Sequence, residues 1–341
     1  MQNSLFPGSG PEALPVVEAA TPAAALRDLA ATLPTGLRFG TSSWNYPGWA
    51  GLVWKRAYPD ALLSRHGLPA YAQHPLLRTV SLDRGFYRPL NAAQFADYAA
   101  QVPADFRFVV KAPGAVTDAL LRDESGHGQR PNRDFLAPGP ALRDFVEPAL
   151  AGLGTRIGAL VFQISPLPTA WLGRMPELIG RLHAMLAALP ALRTVAPDGA
   201  VAVEVRDPQW LVPAFTAALR DSGATYCLGL HAKMPRIAEQ LPILRALWPG
   251  PLVCRWNLNP LHGAFGYEQA RRQYAPYDKL VDPDLDTRAA LARVIAGTVG
   301  AGHKAYVTLS NKAEGSAPLS VRALAEAVRD LRGTPAAGTG R

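Results

Sequence analysis

Eight short apolar runs, which alternate with helix-length segments, restrict the fold of this sequence more than any other feature. The runs are rich in branched and aromatic residues, as buried strands are. Strands that are joined by helical crossovers pair in parallel, and closing the sheet into a barrel removes its exposed edges. The pattern therefore predicts an α/β fold, a closed (β/α)8 TIM barrel, with strands at 37–43, 77–83, 106–112, 158–165, 201–206, 224–230, 252–257 and 304–310.

The segments between these runs carry helical patterns, and two connections are longer than a barrel requires. Helices are predicted at 91–101, 175–189, 212–221, 237–247, 287–299 and 321–331. The long connections, 113–140 and 257–284, follow the third and seventh strands and would rise from the C-terminal mouth as binding loops. An open doubly wound sheet is the alternative, but only Gly40 stands where such a fold carries a glycine-rich phosphate-binding turn.

The chain is predicted to form one barrel domain between two flexible ends. With 341 residues, 48% of them hydrophobic, it can bury the core of a single barrel. The barrel is assigned to residues 36–332. Residues 1–35 are rich in alanine and proline, with one short helical pattern near 23–33, and form a loosely attached extension; residues 333–341 form a tail.

The composition bears on location and on partners. Cys227 and Cys254 lie in apolar runs without CxxC spacing, which indicates free thiols in a reducing compartment. The N-terminus lacks the pattern of a secretory leader, and no apolar stretch reaches the length of a membrane helix. A cytoplasmic protein without a membrane partner is therefore expected. The net charge of +8 permits nucleic acid as a partner, but the basic residues are scattered along the chain.

Polar side chains cluster where the predicted strands end, at the mouth of the barrel. Strand alternation places Ala202, Glu204 and Arg206 on the inner face, with Val203 and Val205 against the helices. The catalytic candidates are Glu204, Lys111 and Asp83. The candidates for binding a small anionic or polar ligand are Thr41, Trp44, Tyr87, Gln163, Arg206, His231, Arg255, Asn257, Asn311 and Glu314.

The role of Glu204 depends on its surroundings. If burial raises its pKa, it can serve as a general acid or base, whereas a neighbouring arginine would keep it ionised. Lys111 and Arg255 can hold a carboxylate or phosphate, or can instead neutralise Asp83 and Glu204. No metal and no cofactor are predicted, since the histidines lack HxH and HExxH spacing; a divalent ion held by Glu204, Asp83, Asp207 and His231 is the alternative.

Several motifs resemble those of the YecE-like family, domain of unknown function 72. They occur in the order of the family and span roughly residues 36 to 330. The resemblance implies a TIM barrel and a cytoplasmic bacterial protein, but no established reaction. The motifs are Phe39-Gly40-Thr41-Ser42-Ser43-Trp44-Asn45-Tyr46-Pro47-Gly48-Trp49, Phe86-Tyr87-Arg88-Pro89-Leu90, Phe106-Arg107-Phe108-Val109-Val110-Lys111-Ala112-Pro113, Val203-Glu204-Val205-Arg206-Asp207-Pro208-Gln209-Trp210 and Asn311-Lys312-Ala313-Glu314-Gly315.

The chain departs from the pattern of that family at four positions. Ser81 stands where the family usually has a glutamate, and Asp83 replaces the following asparagine. Asp118 replaces an expected histidine after Thr117, and Ser310 replaces the first of two asparagines. These changes remove a carboxylate and a histidine, so they question any catalytic role that depended on them.

Three functions remain open from the sequence. The first is a barrel enzyme, a hydrolase or lyase with a metal-independent acid/base site, that acts on a phosphorylated sugar or nucleotide fragment with Glu204 as acid or base. The second is a nucleic-acid-binding or endonuclease-like barrel, which draws on the charge and on Arg271-Arg272 with Tyr267, Tyr274 and Tyr277. The third is a non-catalytic ligand-binding module. Protein partners cannot be predicted.

Overall fold

A computed structural model of the protein describes residues 16–123 and 128–333. Eight parallel strands close into a barrel in which each strand pairs with the barrel strands that precede and follow it in the chain, and the first strand pairs with the last. The TIM barrel is therefore confirmed, and the open sheet is wrong. Each predicted run matches a barrel strand to within two residues at either end. The strands are β1 (Leu37–Thr41), β2 (Leu77–Leu82), β3 (Arg107–Lys111), β4 (Leu120–Arg122), β5 (Gly128–Pro131), β6 (Ile157–Gln163), β7 (Ala200–Glu204), β8 (Thr225–Leu230), β9 (Leu252–Trp256) and β10 (Ala305–Leu309), of which β4 and β5 form a separate antiparallel pair.

The helices form the outer layer and include all six of the predicted ones. These six are found at Ala92–Ala100 (α4), Met175–Ala187 (α8), Pro213–Asp221 (α9), Ile237–Ala246 (α10), Leu285–Gly300 (α12) and Ala317–Gly333 (α14), and the pattern near 23–33 is found at Ala24–Thr32 (α1). The helices are α1 (Ala24–Thr32), α2 (Asp60–His66), α3 (Leu68–Tyr71), α4 (Ala92–Ala100), α5 (Gly114–Thr117), α6 (Pro138–Ala141), α7 (Glu147–Leu153), α8 (Met175–Ala187), α9 (Pro213–Asp221), α10 (Ile237–Ala246), α11 (Tyr267–Tyr274), α12 (Leu285–Gly300), α13 (Asn311–Glu314) and α14 (Ala317–Gly333).

The strands bury two separate apolar clusters, one on each face of the barrel wall. Val203 and Val205 belong to the outer cluster, between strands and helices. The inner cluster consists of small side chains around the ring of Tyr306: Val109, Ala159, Val161, Ala200, Ala202, Cys227 and Val253. The predicted alternation on β7 is therefore confirmed. Because the next inward positions after Val109, Val161, Ala202 and Val253 are Lys111, Gln163, Glu204 and Arg255, the apolar interior gives way to polar groups at the mouth.

The described part of the predicted N-terminal extension is packed on the barrel. Val17 and Leu29 are buried in the outer cluster. The backbone N–H of Ala20 donates to the carbonyl of Val53 over 2.9 Å, and that of Lys55 donates to the carbonyl of Glu18 over 3.0 Å. Residues 16–33 are thus tied to the wall of the barrel. The domain boundaries stay predictions, and residues 1–15 and 334–341 lie outside the described residues.

Two further expectations concern the thiols and the membrane. Cys227 and Cys254 are both free and buried, and they belong to opposite faces of the barrel wall. Burial raises the pKa of each thiol well above its ordinary value, so both are inert. Among the helices of residues 16–123 and 128–333, none has both the length and the apolar character that crossing a membrane requires.

Candidate functional site

Glu204 lies at the end of β7 and is the centre of a buried ionic network. Its side chain is completely inaccessible to solvent. Oε2 accepts a hydrogen bond from Arg255 Nη1 over 2.7 Å, and Oε1 accepts one from Asn257 Nδ2 over 3.1 Å. Arg206, two residues after Glu204 in the chain, forms an ion pair with Oε1. Both carboxylate oxygens are therefore already paired within the protein.

Arg255 connects this carboxylate to the opposite side of the mouth. Its Nη2 donates to Asp83 Oδ2 over 2.6 Å. Gln163 Oε1 accepts from Arg255 Nη1 over 3.2 Å and from Arg206 Nη2 over 3.1 Å. Side chains from the ends of β2, β6, β7 and β9 are thus joined in one network, as expected where parallel strands of a barrel end together.

The charges around Glu204 decide its protonation. Complete burial disfavours the ionised form, but the charges of Arg206 and Arg255, and the hydrogen bond from Arg255, outweigh burial and lower the pKa of Glu204 to about 2. A carboxylate with so low a pKa binds a proton too weakly to act as a general base or acid near neutral pH. Of the two interpretations of Glu204, these contacts support the permanently ionised one, and its assignment as acid or base is not kept.

Lys111, the last residue of β3, carries the unpaired amine of the mouth. Within the described parts of the chain, its Nζ forms no hydrogen bond and no ion pair; it lies 3.6 Å from the ring centroid of Phe86. Burial and the charges of Arg255 and Arg206 outweigh the attraction of Asp83 and lower the pKa of Lys111 to about 8. Lys111 therefore titrates close to physiological pH, where general acids and bases are most effective.

His231 and Gln163 add hydrogen-bond donors that have no partner in residues 16–123 and 128–333. His231 Nδ1 accepts the backbone N–H of Lys233 over 3.0 Å. Burial and the charge of Arg206 lower the pKa of His231 to about 4, so the ring is neutral at pH 7 and its proton is on Nε2. Gln163 Oε1 is used by the two arginines, and its Nε2 has no acceptor among the described residues. Both side chains continue the inward-facing rows of their strands.

The long loop after β9 covers part of the mouth, as predicted. Tyr267 begins α11, and its ring centroid lies 5.4 Å from that of His231. Phe265, on the same loop, is 86% exposed and faces Lys233 Nζ at 4.4 Å from its ring centroid. The loop after β3 contains α5 and the β4–β5 pair, and its residues 124–127 lie outside the described part of the chain.

Arg271 and Arg272, the basic pair in helix α11, both form ion pairs with one carboxylate. Both guanidinium groups pair with Glu268, at 2.7 Å for Arg271 and 3.1 Å for Arg272. Tyr274 is buried and donates to Asp282 Oδ2 over 2.8 Å. Tyr277 is buried as well. Tyr274 and Tyr277 therefore offer no exposed ring for stacking on bases, whereas Tyr267 and the two arginines are exposed.

Four of the predicted ligand-binding residues have contacts inside the protein. Thr41 Oγ1 lies 2.8 Å from Tyr71 OH, and Trp44 is buried with its indole N–H donating to Leu63 O over 3.0 Å. Asn311 Oδ1 accepts the indole N–H of Trp49 over 3.2 Å. Glu314 is fully buried, and its Oε1 accepts the backbone N–H of Asp284 over 2.8 Å and pairs with Arg288. These contacts support the fold, so the four residues are left out of the proposed site.

Tyr87 and the four departures from the family pattern are also accounted for. Tyr87 is 90% exposed, whereas its neighbour Phe86 contacts Lys111. Ser81 Oγ donates to Asp83 Oδ1 over 2.6 Å, which helps to orient the carboxylate that pairs with Arg255. Asp118 pairs with Arg122. Ser310 Oγ accepts the N–H of Lys312 over 3.1 Å and so caps α13.

Phe86 and Tyr267 are mouth residues that sequence reasoning did not select. Phe86 stands within the Phe86-Tyr87-Arg88-Pro89 motif, but nothing in the pattern distinguishes the aromatic residue that turns inward from the one that is exposed. In the sequence, Tyr267 stands out only as an aromatic residue near two basic residues. As for metals, the two described ranges contain no group of three or more His, Cys, Asp or Glu side chains that could bind an ion; Asp207 instead accepts the N–H of Leu167 over 2.8 Å.

Comparisons with known proteins agree with this architecture. A family model described as "Protein of unknown function DUF72" matches residues 38–339. The crystal structure of a DUF72 family protein from Enterococcus faecalis has a TM-score of 0.56 at 16% identity, covering 86% of this chain and 95% of that chain. One from Thermotoga maritima has a TM-score of 0.51 at 18% identity, covering 87% of this chain and 99% of that chain. No curated protein matches the sequence. At these identities the likeness concerns the fold alone.

Proposed function

Since the chain belongs to the DUF72 family, which is described only as of unknown function, we propose a function from its barrel mouth. The protein is an enzyme that binds a small anionic or hydroxyl-rich substrate, such as a phosphorylated sugar or a nucleotide fragment, at the C-terminal end of the barrel. Lys111 transfers the proton. Glu204, which sequence reasoning took as the acid or base, instead keeps Arg206 and Arg255 in place.

The single observation that carries this proposal is the free amine of Lys111 beside an ionic network in which both oxygens of Glu204 are already paired. The side chains of Glu204 and Asp83 supply two negative charges, while Arg206, Arg255 and protonated Lys111 supply three positive ones. The mouth thus has an excess of one positive charge, located on the group that has no partner in the described residues. A half-buried cation without a counter-ion attracts an anion from solution more strongly than an exposed one does.

The geometry also separates binding from proton transfer. The arginines are fixed by bridging contacts, Arg255 between Glu204 and Asp83 and Arg206 between Glu204 and Gln163, so they give a preorganised positive field. Gln163 Nε2 and His231 Nε2 can donate to carbonyl, hydroxyl or phosphate oxygens. Lys111, with a pKa of about 8, exists in both protonation states near neutral pH and can take up or release a proton.

Ligand-induced thermal stabilisation of wild type, Lys111→Met and Lys279→Met tests this proposal. The probes are sugar phosphates, nucleoside monophosphates and simple 2-oxo acids. A probe at a hundredfold its Kd should stabilise the fold by about 2.7 kcal/mol. We expect wild type and Lys279→Met to respond to at least one anion and Lys111→Met to lose most of that response, since Lys279 is exposed on the loop after β9. An equal response in all three proteins, or none in wild type, would contradict the proposal.

A nucleic-acid-binding barrel remains the alternative proposal, and it makes a different prediction. Its support is the net charge of +8. Binding to a short single-stranded oligonucleotide would weaken steeply with salt, because counterions are released from the phosphates. If oligonucleotide binding with such a salt slope survives in Lys111→Met, the alternative gains support over the small-substrate proposal.

A further inference from the structure

We propose that Lys111 is a nucleophile, which forms an imine with the carbonyl carbon of a small anionic aldehyde, ketone or 2-oxo acid. This inference rests on the proposed function of the mouth and narrows its substrate class. It goes further because proton transfer requires only a titrating amine, whereas imine formation requires an amine that is open to attack a carbon atom.

The position of Lys111 suits such a reaction. It ends β3 directly above inward-facing Val109, so its backbone is held by the barrel wall on both sides, by β2 and β6. One side of the amine is closed by the ring of Phe86, 3.6 Å away. The same amine has no hydrogen bond or ion pair with any described residue. Such an amine need not break a hydrogen bond or an ion pair before it reacts.

The amine must also be neutral, since an ammonium has no lone pair. Burial and the nearby charges of Arg255 and Arg206 lower the pKa of Lys111 to about 8. At pH 7.5 about a quarter of such an amine is neutral, against about a thousandth of an ordinary lysine with a pKa near 10.4. Desolvation and an adjacent cation are the two ways in which proteins activate lysine for imine formation.

The reaction balances without an oxidant or reductant. The Lys111 nitrogen attacks the carbonyl carbon, the carbonyl oxygen takes up one proton and the nitrogen gives up one, which yields a neutral carbinolamine. The hydroxyl group then leaves as water after a second protonation, and the nitrogen loses its second proton as the C=N bond forms. His231 Nε2 and Gln163 Nε2 are the donors that can stabilise the oxygen as negative charge develops on it.

The chain offers internal controls because it has only six lysines. Lys55 pairs with Glu18, and Lys304 lies 3.2 Å from Asp198 Oδ1. Lys279 is exposed. Lys312 is the closest match to Lys111, because burial and the charge of Arg271 lower its pKa as well, yet it is the second residue of helix α13 rather than the last residue of a barrel strand.

The experiment is reductive trapping with glyoxylate, a small anionic aldehyde, and cyanoborohydride, followed by peptide mapping of the full chain. The reductant only converts an imine that has already formed into a stable secondary amine. At pH 7.5, we expect Lys111 to be labelled on the order of tenfold faster than Lys279, because its larger neutral fraction is partly offset by the weaker nucleophilicity of an amine with a lower pKa, and also faster than Lys312. Its labelling rate should rise with pH to a half-maximum near pH 8. Lys111→Arg should remove the fast phase and leave the others unchanged.

Labelling of Lys111 no faster than that of Lys312 or Lys279 would overturn the imine proposal. That result leaves the proposed function intact if anions still stabilise wild type and not Lys111→Met, because binding and proton transfer do not need a nucleophile. Fast labelling of Lys111 without any stabilisation by anions would support a reactive amine and contradict the anion site. The two proposals therefore fail separately.

Discussion

Glu204 is buried between Arg206 and Arg255, and its replacement tests how strongly the network depends on the carboxylate. Glu204→Gln keeps the shape of the side chain but leaves two buried cations without their shared counter-ion. Breaking a buried pair in this way costs about 3–5 kcal/mol in the free energy of unfolding. We expect a loss of that size in urea denaturation at pH 7. Glu326→Gln, which removes an exposed partner of Arg322, should change stability by less than about 1 kcal/mol.

The same residue gives a pH dependence. The pKa of Glu204 in the folded protein, about 2, is lower than the value of about 4.3 for an unfolded glutamate. Its ionised form therefore stabilises the fold fully above about pH 4.3, and this contribution is lost as the pH falls towards about 2. The stability difference between wild type and Glu204→Gln should shrink over that interval. A difference that stays constant from pH 6 to pH 3 would contradict the assigned protonation state.

Sequence reasoning could place Glu204 on the inner face but could not determine its protonation. Alternation along one strand is a local property, and it correctly directs Glu204 and Arg206 inward. The pKa depends on Arg255, which is 51 positions away in the chain, and Arg255 is itself oriented by Asp83, a further 172 positions from it. Contacts of that range follow only from the order of the strands around the barrel.

The strands were predictable because a barrel strand is buried on both of its faces, which gives a continuous apolar run in the sequence. The ends of the runs were less so, since β6 and β7 stop at Gln163 and Glu204 although Ile164 and Val205 are also buried. Gly40 shows another limit. In the sequence, Gly40 is the one glycine at the position where an open α/β fold has its phosphate-binding turn. In the structure, a Cβ atom at this position would lie 1.9 Å from the carbonyl oxygen of Thr79 on the neighbouring strand. The lack of a side chain at Gly40 therefore allows β1 to lie close to β2.

Gly40→Ala should therefore disturb the pairing of β1 with β2. The added methyl group meets backbone that cannot move without shifting the barrel wall, and overpacking of this kind costs about 1–3 kcal/mol or more. We expect a lower Tm or insoluble protein. Gly180→Ala is the matched control, since position 180 lies in α8 with no atom within 4 Å of the added Cβ; it should raise stability by about 0.5–1 kcal/mol. Equal stability of the two variants would refute the packing role of Gly40.

At the scale of the whole molecule, the closed barrel was predictable from length, composition and strand count, but the attachment of the N-terminal segment was not. An alanine- and proline-rich stretch carries little signal, yet its few apolar side chains can pack on the barrel where the barrel offers a surface. Val17 and Leu29 provide this contact, and the backbone bonds of Ala20 and Lys55 join the segment to the loop after β1. The stretch is therefore part of the outer layer.

A chain that begins at residue 36 should be less stable than one that begins at residue 16. Removing 16–35 exposes the surface covered by Leu29 and Val17, and losing a buried leucine alone costs about 2–5 kcal/mol. Urea denaturation of the two chains should show this loss, and Leu29→Ala in the longer chain should reproduce most of it. The network of Glu204 and Arg255 uses no atom of the segment, so the shorter chain should keep the fast glyoxylate labelling of Lys111 below its Tm. Loss of that labelling in a chain that is still folded would mean that the N-terminal segment shapes the mouth as well as the outer layer.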